Sequence, residues 1–426
     1  MASTGSSSSA APEAAASADV VVGLITCGDA ETIGAVTAAV NEGLECCFQG
    51  LATRIALVDA GAADGMASQV RPLVAGNSQL IELTPASAAA DRLEVPYHGV
   101  PGKARALHMM LSAARDLNVR ACVILDAAVR TVTPQWIEWL GRPIVDSGVD
   151  LVSPFFQRGP YEGALTRGIV YPVVRALYGV RLRQPLAAEF ACSARLLDRV
   201  LEDDIWDRDG AQTGIDLWLA TSAATADLHL AEAALGVRTH RARGENALDL
   251  PSTITQIVGS LFADLEVRAE QWQRTRRSVP LPQFGASASP APAPGSRIEP
   301  ERLIDSFRLG YRELHDIWTW VLPPRTIIDL RRLADATPAQ FRFEDELWAR
   351  IVYDFALAHR LRTLARDHLL QSIVPLYLGW LASFILQVRD LSAEAVDLRV
   401  EELATVFEAQ KPYLIANWRW PEQRRT

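Results

Sequence analysis

In the first part of the chain, short apolar runs alternate with stretches in which apolar and polar positions repeat at helical spacing. The apolar runs at 20–25, 54–58, 79–83 and 121–125 each have the length of a strand. Strands that alternate with helices in this way predict βαβ units and a parallel, doubly wound sheet. The predicted fold class is therefore α/β, with a mostly parallel sheet.

The run at 121–125 is the clearest of these strands, and it stops abruptly at Asp126. A continuous apolar run rich in β-branched residues is typical of a strand buried on both faces of a parallel sheet. Thr133 and Pro134 then predict the start of a helix, as N-cap and first helical residue. Because ligands of open α/β sheets bind just beyond the carboxyl ends of the strands, we expect Asp126 to face a crevice. Local sequence alone would favour an ordinary polar turn at Asp126.

Two further polar features fall at the same predicted edge. Asp59 follows the second strand, and right-handed crossovers would bring it to the edge that holds Asp126. A carboxylate there suits the ribose or base edge of a nucleotide, although an ordinary turn would explain Asp59 as well. Gly102 and Lys103 begin a predicted helix, where free backbone NH groups and a cation suit a phosphate. The spacing of a Walker A loop is absent.

Composition divides the chain into four segments. Residues 1–18 are rich in serine and alanine and lack the basic and apolar parts of a signal peptide, so they predict a disordered tail. The α/β pattern covers 19–277. A Pro/Ala/Ser-rich stretch at 278–300 predicts a linker or exposed loop. Residues 301–426 predict a helical C-terminal domain, whose many aromatic side chains offer a surface for a homodimer.

One C-terminal helix, Leu369–Val388, is nearly uncharged and long enough to cross a bilayer. Gln371, Pro375 and Gln387 favour a buried core helix instead, and no second span accompanies it. We therefore expect no stable membrane insertion. Insertion of this helix into a membrane is the alternative that its composition leaves open.

Charge and cysteine content narrow the class of protein. The 426 residues carry 42 basic and 51 acidic side chains, a net charge of −9, which offers no general attraction to nucleic acid or to an anionic membrane. The five cysteines form neither a CxxC pair nor a zinc-ligand spacing. They are typical of reduced core residues in a cytoplasmic protein.

The order and spacing of these features resemble a known family. Those that carry the resemblance are the strand-turn with Glu31, the Asp59 turn, Gly102-Lys103, Asp126, RALYG-x-R-x-RQP at 175–185, GIDLWL at 214–219, and His240. In this order they resemble GT-A-fold glycosyltransferases, and most of all the retaining mannosylglycerate, glucosylglycerate and glucosyl-3-phosphoglycerate synthases. The resemblance implies a GT-A-like, doubly wound nucleotide-binding half followed by helices.

The same resemblance implies a role for each matching residue. It implies donor contacts at Glu31, Asp59, Lys103 and Asp126, acceptor contacts at Arg158 and Thr166, a catalytic carboxylate at Asp216, and metal ligands at His240 and Asp126. An arginine suits a small carboxylate acceptor such as glycerate. A divalent cation, Mg²⁺ or Mn²⁺, suits oxygen and imidazole ligands and would offset the charge of the leaving nucleoside diphosphate.

The chain departs from the family pattern at the predicted site. Asp126-Ala127-Ala128 stands where the family has Asp-x-Asp, and Ala187-Ala188-Glu189 stands where it has two glycines and an acid. Two hypotheses follow. The first is a hexosyltransferase that moves a hexose from a nucleotide-diphosphate sugar to glycerate or a similar small hydroxy-acid with retention. The second is a catalytically degenerate relative that binds a nucleotide sugar or a partner protein. A more distant third is a membrane-bound transferase with a lipid acceptor, which would require Leu369–Val388 to insert.

Overall fold

The computed structural model describes residues 17–60, 66–74, 79–84, 96–207, 211–240, 249–286 and 298–419. Most of the predicted tail at 1–18 and the centre of the predicted linker at 278–300 lie outside the described residues.

The described strands form one eight-stranded sheet. They are β1 (Val20–Thr26), β2 (Thr53–Asp59), β3 (Gln79–Leu83), β4 (Ala121–Asp126), β5 (Leu151–Gln157), β6 (Phe190–Ser193), β7 (Leu230–Val237) and β8 (Gln283–Phe284). Their order is β3-β2-β1-β4-β6-β5-β7-β8. All neighbours are parallel except β6, which runs antiparallel to β4 and β5. The predicted α/β fold with a mostly parallel sheet is confirmed.

Helices cover both faces of the sheet and make up the C-terminal part. They are α1 (Ile33–Cys47), α2 (Met66–Val70), α3 (Lys103–Asp116), α4 (Pro134–Ser147), α5 (Tyr171–Tyr178), α6 (Ala194–Leu201), α7 (Ala211–Thr225), α8 (Leu250–Val267), α9 (Ala269–Arg274), α10 (Pro300–Glu313), α11 (His315–Val321), α12 (Pro324–Asp335), α13 (Asp345–Leu361), α14 (Arg366–Val388) and α15 (Ala393–Arg419). As expected, α4 begins at Pro134 and Thr133 is its extended N-cap residue.

Strand β1 explains why the central strands are continuous apolar runs. Val20, Val22 and Leu24 belong to the core that includes α1 and α4, whereas Val21 and Ile25 belong to the core that includes α3. Because successive side chains of a strand point to opposite faces, a strand covered by helices on both sides must be apolar at every position.

The C-terminal helices share a core with the α/β part. Helix α15 lies along α5, where Arg175 hydrogen-bonds to Glu401, Thr405 and Glu408. Lys411 of α15 donates to the carbonyl oxygens of Ala176, Leu177 and Thr275. The RALYG element therefore forms part of the surface against which α15 packs.

Helix α14 contains the long apolar segment predicted as a core helix. In its most apolar window, 78% of the residues are buried inside the protein. Trp380 packs so closely on Gly168 that a Cβ there would lie 2.1 Å from its ring. Length and composition would also allow this helix to cross a membrane, but its contacts in the structure are those of a core element.

Candidate functional site

The polar side chains of interest gather at one edge of the sheet. In the parallel register, Thr26 of β1 pairs with Asp59, and Ile25 pairs with Asp126. Asp59 and Asp126 therefore end strands on either side of β1, roughly 10 Å apart at a strand spacing of about 4.8 Å. Strands β5 and β7 also end at this edge, and the reversed β6 begins there.

The carboxylate of Asp126 is held by its neighbours. Its Oδ1 accepts a hydrogen bond from the Ala128 NH at 2.9 Å, and its Oδ2 lies 3.4 Å from Nη2 of Arg238. Ala128 itself is 1% exposed. Asp126 is thus fixed at the strand end by a tight turn and faces a cation that belongs to the protein.

Arg238 was not predicted, and it occupies the centre of this edge. It follows β7, and its Nε and Nη2 donate to Oε1 of Glu189 at 3.0 and 2.8 Å. Glu189 is buried just before β6. Burial opposes the charged form, yet the two carboxylates, Glu189 and Asp126, raise the pKa of Arg238 above its usual value. The guanidinium is therefore positively charged and links Glu189, next to β6, with Asp126 at the end of β4.

The predicted metal ligands are Asp126, at the end of β4, and His240, which follows β7. His240 is exposed and lies opposite Val129 in an antiparallel bridge. Among the described residues, no three histidine, cysteine, aspartate or glutamate side chains are grouped so that they could hold a metal ion. A cation next to Asp126 would also be repelled by Arg238. The residues present do not fit a divalent metal held by the protein alone.

Lys103 and Asp216, which were predicted separately for donor and catalysis, form one buried ion pair. Lys103 Nζ lies 2.7 Å from both carboxylate oxygens, and the two side chains are 5% and 2% exposed. Gly102, with a φ of 73°, precedes α3 and starts the helix at Lys103. The hydroxyl of Tyr97 donates to Oδ2 of Asp216 at 3.1 Å. Burial, and then the Asp216 charge, raise the pKa of Tyr97 well above its usual value.

Glu31, the remaining predicted donor contact, lies at the rim. Its side chain is 61% exposed, and its Oε2 is 3.5 Å from Nη2 of Arg130. The backbone NH of Arg130 donates to the carbonyl of Thr239. Glu31 therefore sits beside the segment that carries Arg238 and His240, at the outer side of the same edge.

The predicted acceptor residues line one narrow cavity beyond the end of β5. Arg158 follows β5, and Thr166 begins a π-helical turn that leads into α5. The cavity has a volume of about 30 Å³, where one water needs roughly 10–15 Å³ on the same scale. That is room for a group of the size of a carboxylate. Its lining is Phe155, Arg158, Gly163, Thr166, Arg167, Tyr171, Arg183, Gln184, Asp397, Val400 and Glu401.

Arg158 is a half-buried cation. Its Nη2 donates to Oε1 of Gln184 at 3.3 Å. No carboxylate of the described residues forms an ion pair with it, although the charge of Glu162 acts on it. Burial lowers the pKa of Arg158 to about 10. Gly163 makes room for the guanidinium, since a Cβ there would lie 2.1 Å from Nη1. A partly desolvated guanidinium with N–H donors that no described acceptor uses suits a carboxylate.

The RALYG-x-R-x-RQP element supplies two lining residues to which no role was assigned from the sequence. Arg183 lies over the ring of Phe155 and binds Oε2 of Glu232 through Nε and Nη2. Gln184 lines the Arg158 cavity and also a second small cavity that includes Asp216. The quoted motif was the available signal for both residues. Nothing in the local sequence singled out Tyr97 or Arg238.

Comparisons with known proteins name the synthase group that the sequence resembles. No family model and no curated protein matches the chain. Among solved structures, it is similar to glucosyl-3-phosphoglycerate synthase from Mycobacterium tuberculosis in complex with Mn²⁺, UDP and glucosyl-3-phosphoglycerate. The identity is 21%, the TM-score is 0.41, and the match covers 58% of this chain and 80% of that one. Mannosyl-3-phosphoglycerate synthase from Rubrobacter xylanophilus matches with 20% identity, a TM-score of 0.40, and 62% and 79% coverage. At these values the likeness assigns no substrate, metal or residue role to this chain.

Proposed function

We propose that this protein is a glycosyltransferase that moves a hexose from a nucleotide-diphosphate sugar to glycerate or a similar small hydroxy-acid. The observation that carries the proposal is the half-buried guanidinium of Arg158, which lines one cavity with Thr166 and has no ion-pair partner among the described residues. Partial burial of a charge without a close counter-ion is unfavourable. An acceptor carboxylate would remove that cost and gain charge-assisted hydrogen bonds.

The reaction forms one bond and breaks one. The acceptor hydroxyl oxygen bonds to the anomeric carbon, the bond from that carbon to the diphosphate oxygen breaks, and its electron pair leaves with the nucleoside diphosphate. The hydroxyl proton leaves with the diphosphate or to solvent. Retention of configuration is implied by the sequence resemblance. In this proposal Arg158 orients the acid by its carboxylate, so that its hydroxyl points toward the edge that holds Asp126.

Gln184 links the acceptor cavity with the Asp216 region. Its side-chain NH₂ donates to the carbonyl of Phe156, which orients its oxygen toward Arg158. Gln184 also lines the small cavity that includes Asp216. An acceptor held by Arg158 would therefore be separated from the Asp216 cavity by this one side chain. Asp216 is proposed to act on the transferred sugar or acceptor once the donor is bound.

One observation favours a second function, that of a relative that binds nucleotide sugar without turnover. Both oxygens of the Asp216 carboxylate contact Lys103, and one also accepts from Tyr97. A carboxylate saturated in this way is a poor base and a poor nucleophile. If the ion pair persists when donor is bound, Asp216 has a structural role only.

The test is a transfer assay with the whole protein. UDP-glucose and GDP-mannose are each incubated with D-glycerate, and both nucleotide release and a glycosylated acid are followed by NMR. We expect formation of the glycosylated acid with one of the two donors. Nucleotide binding in a parallel calorimetric titration, without product from either donor, would instead support the non-catalytic function.

A further inference from the structure

A groove between α7, α8 and α14 has the size of a small-molecule site. Its volume is about 520 Å³, and small-molecule sites span roughly 300–1,000 Å³. Helix α8 forms the floor, α7 one wall and the start of α14 the other wall. Clefts between packed helices are common places for ligands. The size and position of the groove therefore suit a ligand, and its walls determine which kind.

The groove is separate from the cavities that contain Arg158 and Asp216. None of the described residues that line it lines either of those cavities. Asp216 lies at the small cavity, whereas Leu217 and Trp218 line the groove. Helix α7 borders the two spaces with different faces, because consecutive helical residues are about 100° apart. A ligand in the groove would thus contact a different face of α7 from the one that carries Asp216.

Small side chains on α8 keep the groove open. Gly259, Ser260 and Ala263 line its floor, and Ala263 is exposed to solvent. The wall formed by α7 is apolar at Leu217 and Trp218. A floor of small residues provides space only, and binding requires specific groups on the walls.

A buried histidine supplies such a group. His359, in the last turn of α13, is 2% exposed and lines the groove. Its Nδ1 is 2.5 Å from Oε1 of Glu266. Burial opposes the charged form of Glu266, but hydrogen bonds from His359 and Arg362 lower its pKa below the usual value. Nδ1 therefore donates to a carboxylate, and Nε2, which has no hydrogen bond to a described residue, is the ring nitrogen that a ligand can use.

A hydroxyl group is the best complement to Nε2 of His359. It donates to the neutral ring and accepts from the protonated ring, so it fits either charge state. The hydroxyls of Thr213 and Ser260 lie 3.3 Å apart at the same groove, and each can both donate and accept. The groove therefore offers several partners to a ligand with more than one hydroxyl group.

The charges that line the groove do not favour an ionic ligand. Asp264 is paired with Arg268 at 3.0 Å. Arg366 and Asp367, both exposed at the start of α14, carry opposite charges. An electrostatically complementary ligand is therefore uncharged.

We propose that the groove binds an uncharged ring compound with several hydroxyl groups, which is the chemistry of a hexopyranoside. Hydroxyl groups on one side of the ring bind His359 and Ser260, and its CH groups pack on Leu217 and Trp218. This site is additional to the donor and acceptor sites of the proposed function. It is expected in a catalytic and in a non-catalytic protein alike.

Saturation-transfer NMR with the whole protein tests the site. The probe is methyl α-D-glucopyranoside at about 10 mM, a concentration at which a Kd in the millimolar range is detected. Ala263→Trp fills the groove from an exposed position, and His359→Phe removes Nε2. Ala393→Trp makes the same substitution as Ala263→Trp at the exposed first residue of α15 and is the matched control. Thermal melting verifies that each variant is folded.

We expect saturation transfer to the glucoside in the wild type. Ala263→Trp should raise the Kd at least about tenfold, His359→Phe should raise it about fivefold, and Ala393→Trp should leave it unchanged. Absence of transfer in the wild type would overturn the inference. Transfer that persists unchanged in Ala263→Trp would also overturn it, because the glucoside would then bind elsewhere, for example in the donor site of the proposed function. Neither result decides the proposed function, which is tested by formation of the glycosylated acid.

Discussion

Two cations near the sheet edge, the buried Lys103 and the half-buried Arg158, have different electrostatic surroundings. Lys103 has both oxygens of Asp216 at 2.7 Å, and Tyr97 completes the group. Arg158 donates to the amide oxygen of Gln184 at 3.3 Å and has no ion-pair partner among the described residues. The fold itself pairs the first cation, whereas in the proposed function an acceptor carboxylate would pair the second.

Removal of Lys103 is expected to have the largest effect on stability. Lys103→Met leaves the Asp216 carboxylate buried without its counter-ion, and we expect the free energy of unfolding to fall by about 3–5 kcal/mol. Chemical denaturation measures it. The double variant Lys103→Met/Asp216→Asn should recover most of the loss, because no charge remains uncompensated. A loss below about 1 kcal/mol in the single variant would mean that water reaches Asp216.

The same substitution at Arg158 should have the opposite effect on stability. Arg158→Met removes a cation that has no ion-pair partner among the described residues, so the free energy of unfolding should stay the same or rise by about 1 kcal/mol. Acceptor use should nevertheless collapse, with kcat/KM for the acid about 100-fold lower and nucleotide affinity unchanged. Arg274→Ala on the exposed face of α9 is a control for the loss of an arginine. Strong destabilisation by Arg158→Met would instead identify Arg158 as a structural residue.

Tyr97→Phe tests the hydrogen bond that Tyr97 adds to the Lys103–Asp216 ion pair. It removes one hydrogen bond to Asp216 and leaves Lys103 in place, so unfolding should become easier by about 1–2 kcal/mol. Denaturation gives this value, and the transfer assay adds a second one. If Asp216 takes part in the reaction, kcat should fall while KM for the acid stays constant. A fall in stability with unchanged kcat would limit Tyr97 and Asp216 to a structural role.

The smallest effect is expected from metal. Because Arg238 faces Asp126 and the described residues form no metal site, Mn²⁺ should change UDP or GDP affinity by less than about tenfold. Calorimetric titration with Mn²⁺ and with EDTA measures this. Ala128→Asp adds the second carboxylate of the family's Asp-x-Asp and should enlarge the Mn²⁺ effect. A strong Mn²⁺ requirement in the wild type would mean that His240 and Asp126 bind metal together with the nucleotide.

Part of this arrangement was predictable from the sequence. The apolar runs at 20–25, 54–58, 79–83 and 121–125 correspond to β1 to β4. The repeated βαβ pattern was sufficient to bring Asp59 and Asp126 to one edge. These features were predictable because a strand buried on both faces is a continuous apolar run in the sequence, and because crossovers between parallel strands have one handedness.

Strand β6, in contrast, could not be predicted from the local sequence. It has four residues within a stretch of arginines and aromatic side chains, and its reversed direction places Glu189 at the edge beside Arg238. A short strand is defined by the neighbours that it pairs with, and these are long-range contacts. The antiparallel course of β6 could be known only from the assembled sheet.

The sequence by itself determined the α/β class, the edge at which polar residues gather and the residue types available there. Only the tertiary structure decided which charges cancel. Lys103 and Asp216 are 113 residues apart, and Arg167 and Asp397 are 230 apart. Electrostatic energy depends on distance and desolvation rather than on position in the chain. For that reason only the packed structure shows that Lys103 has an ion-pair partner and that Arg158 has none among the described residues.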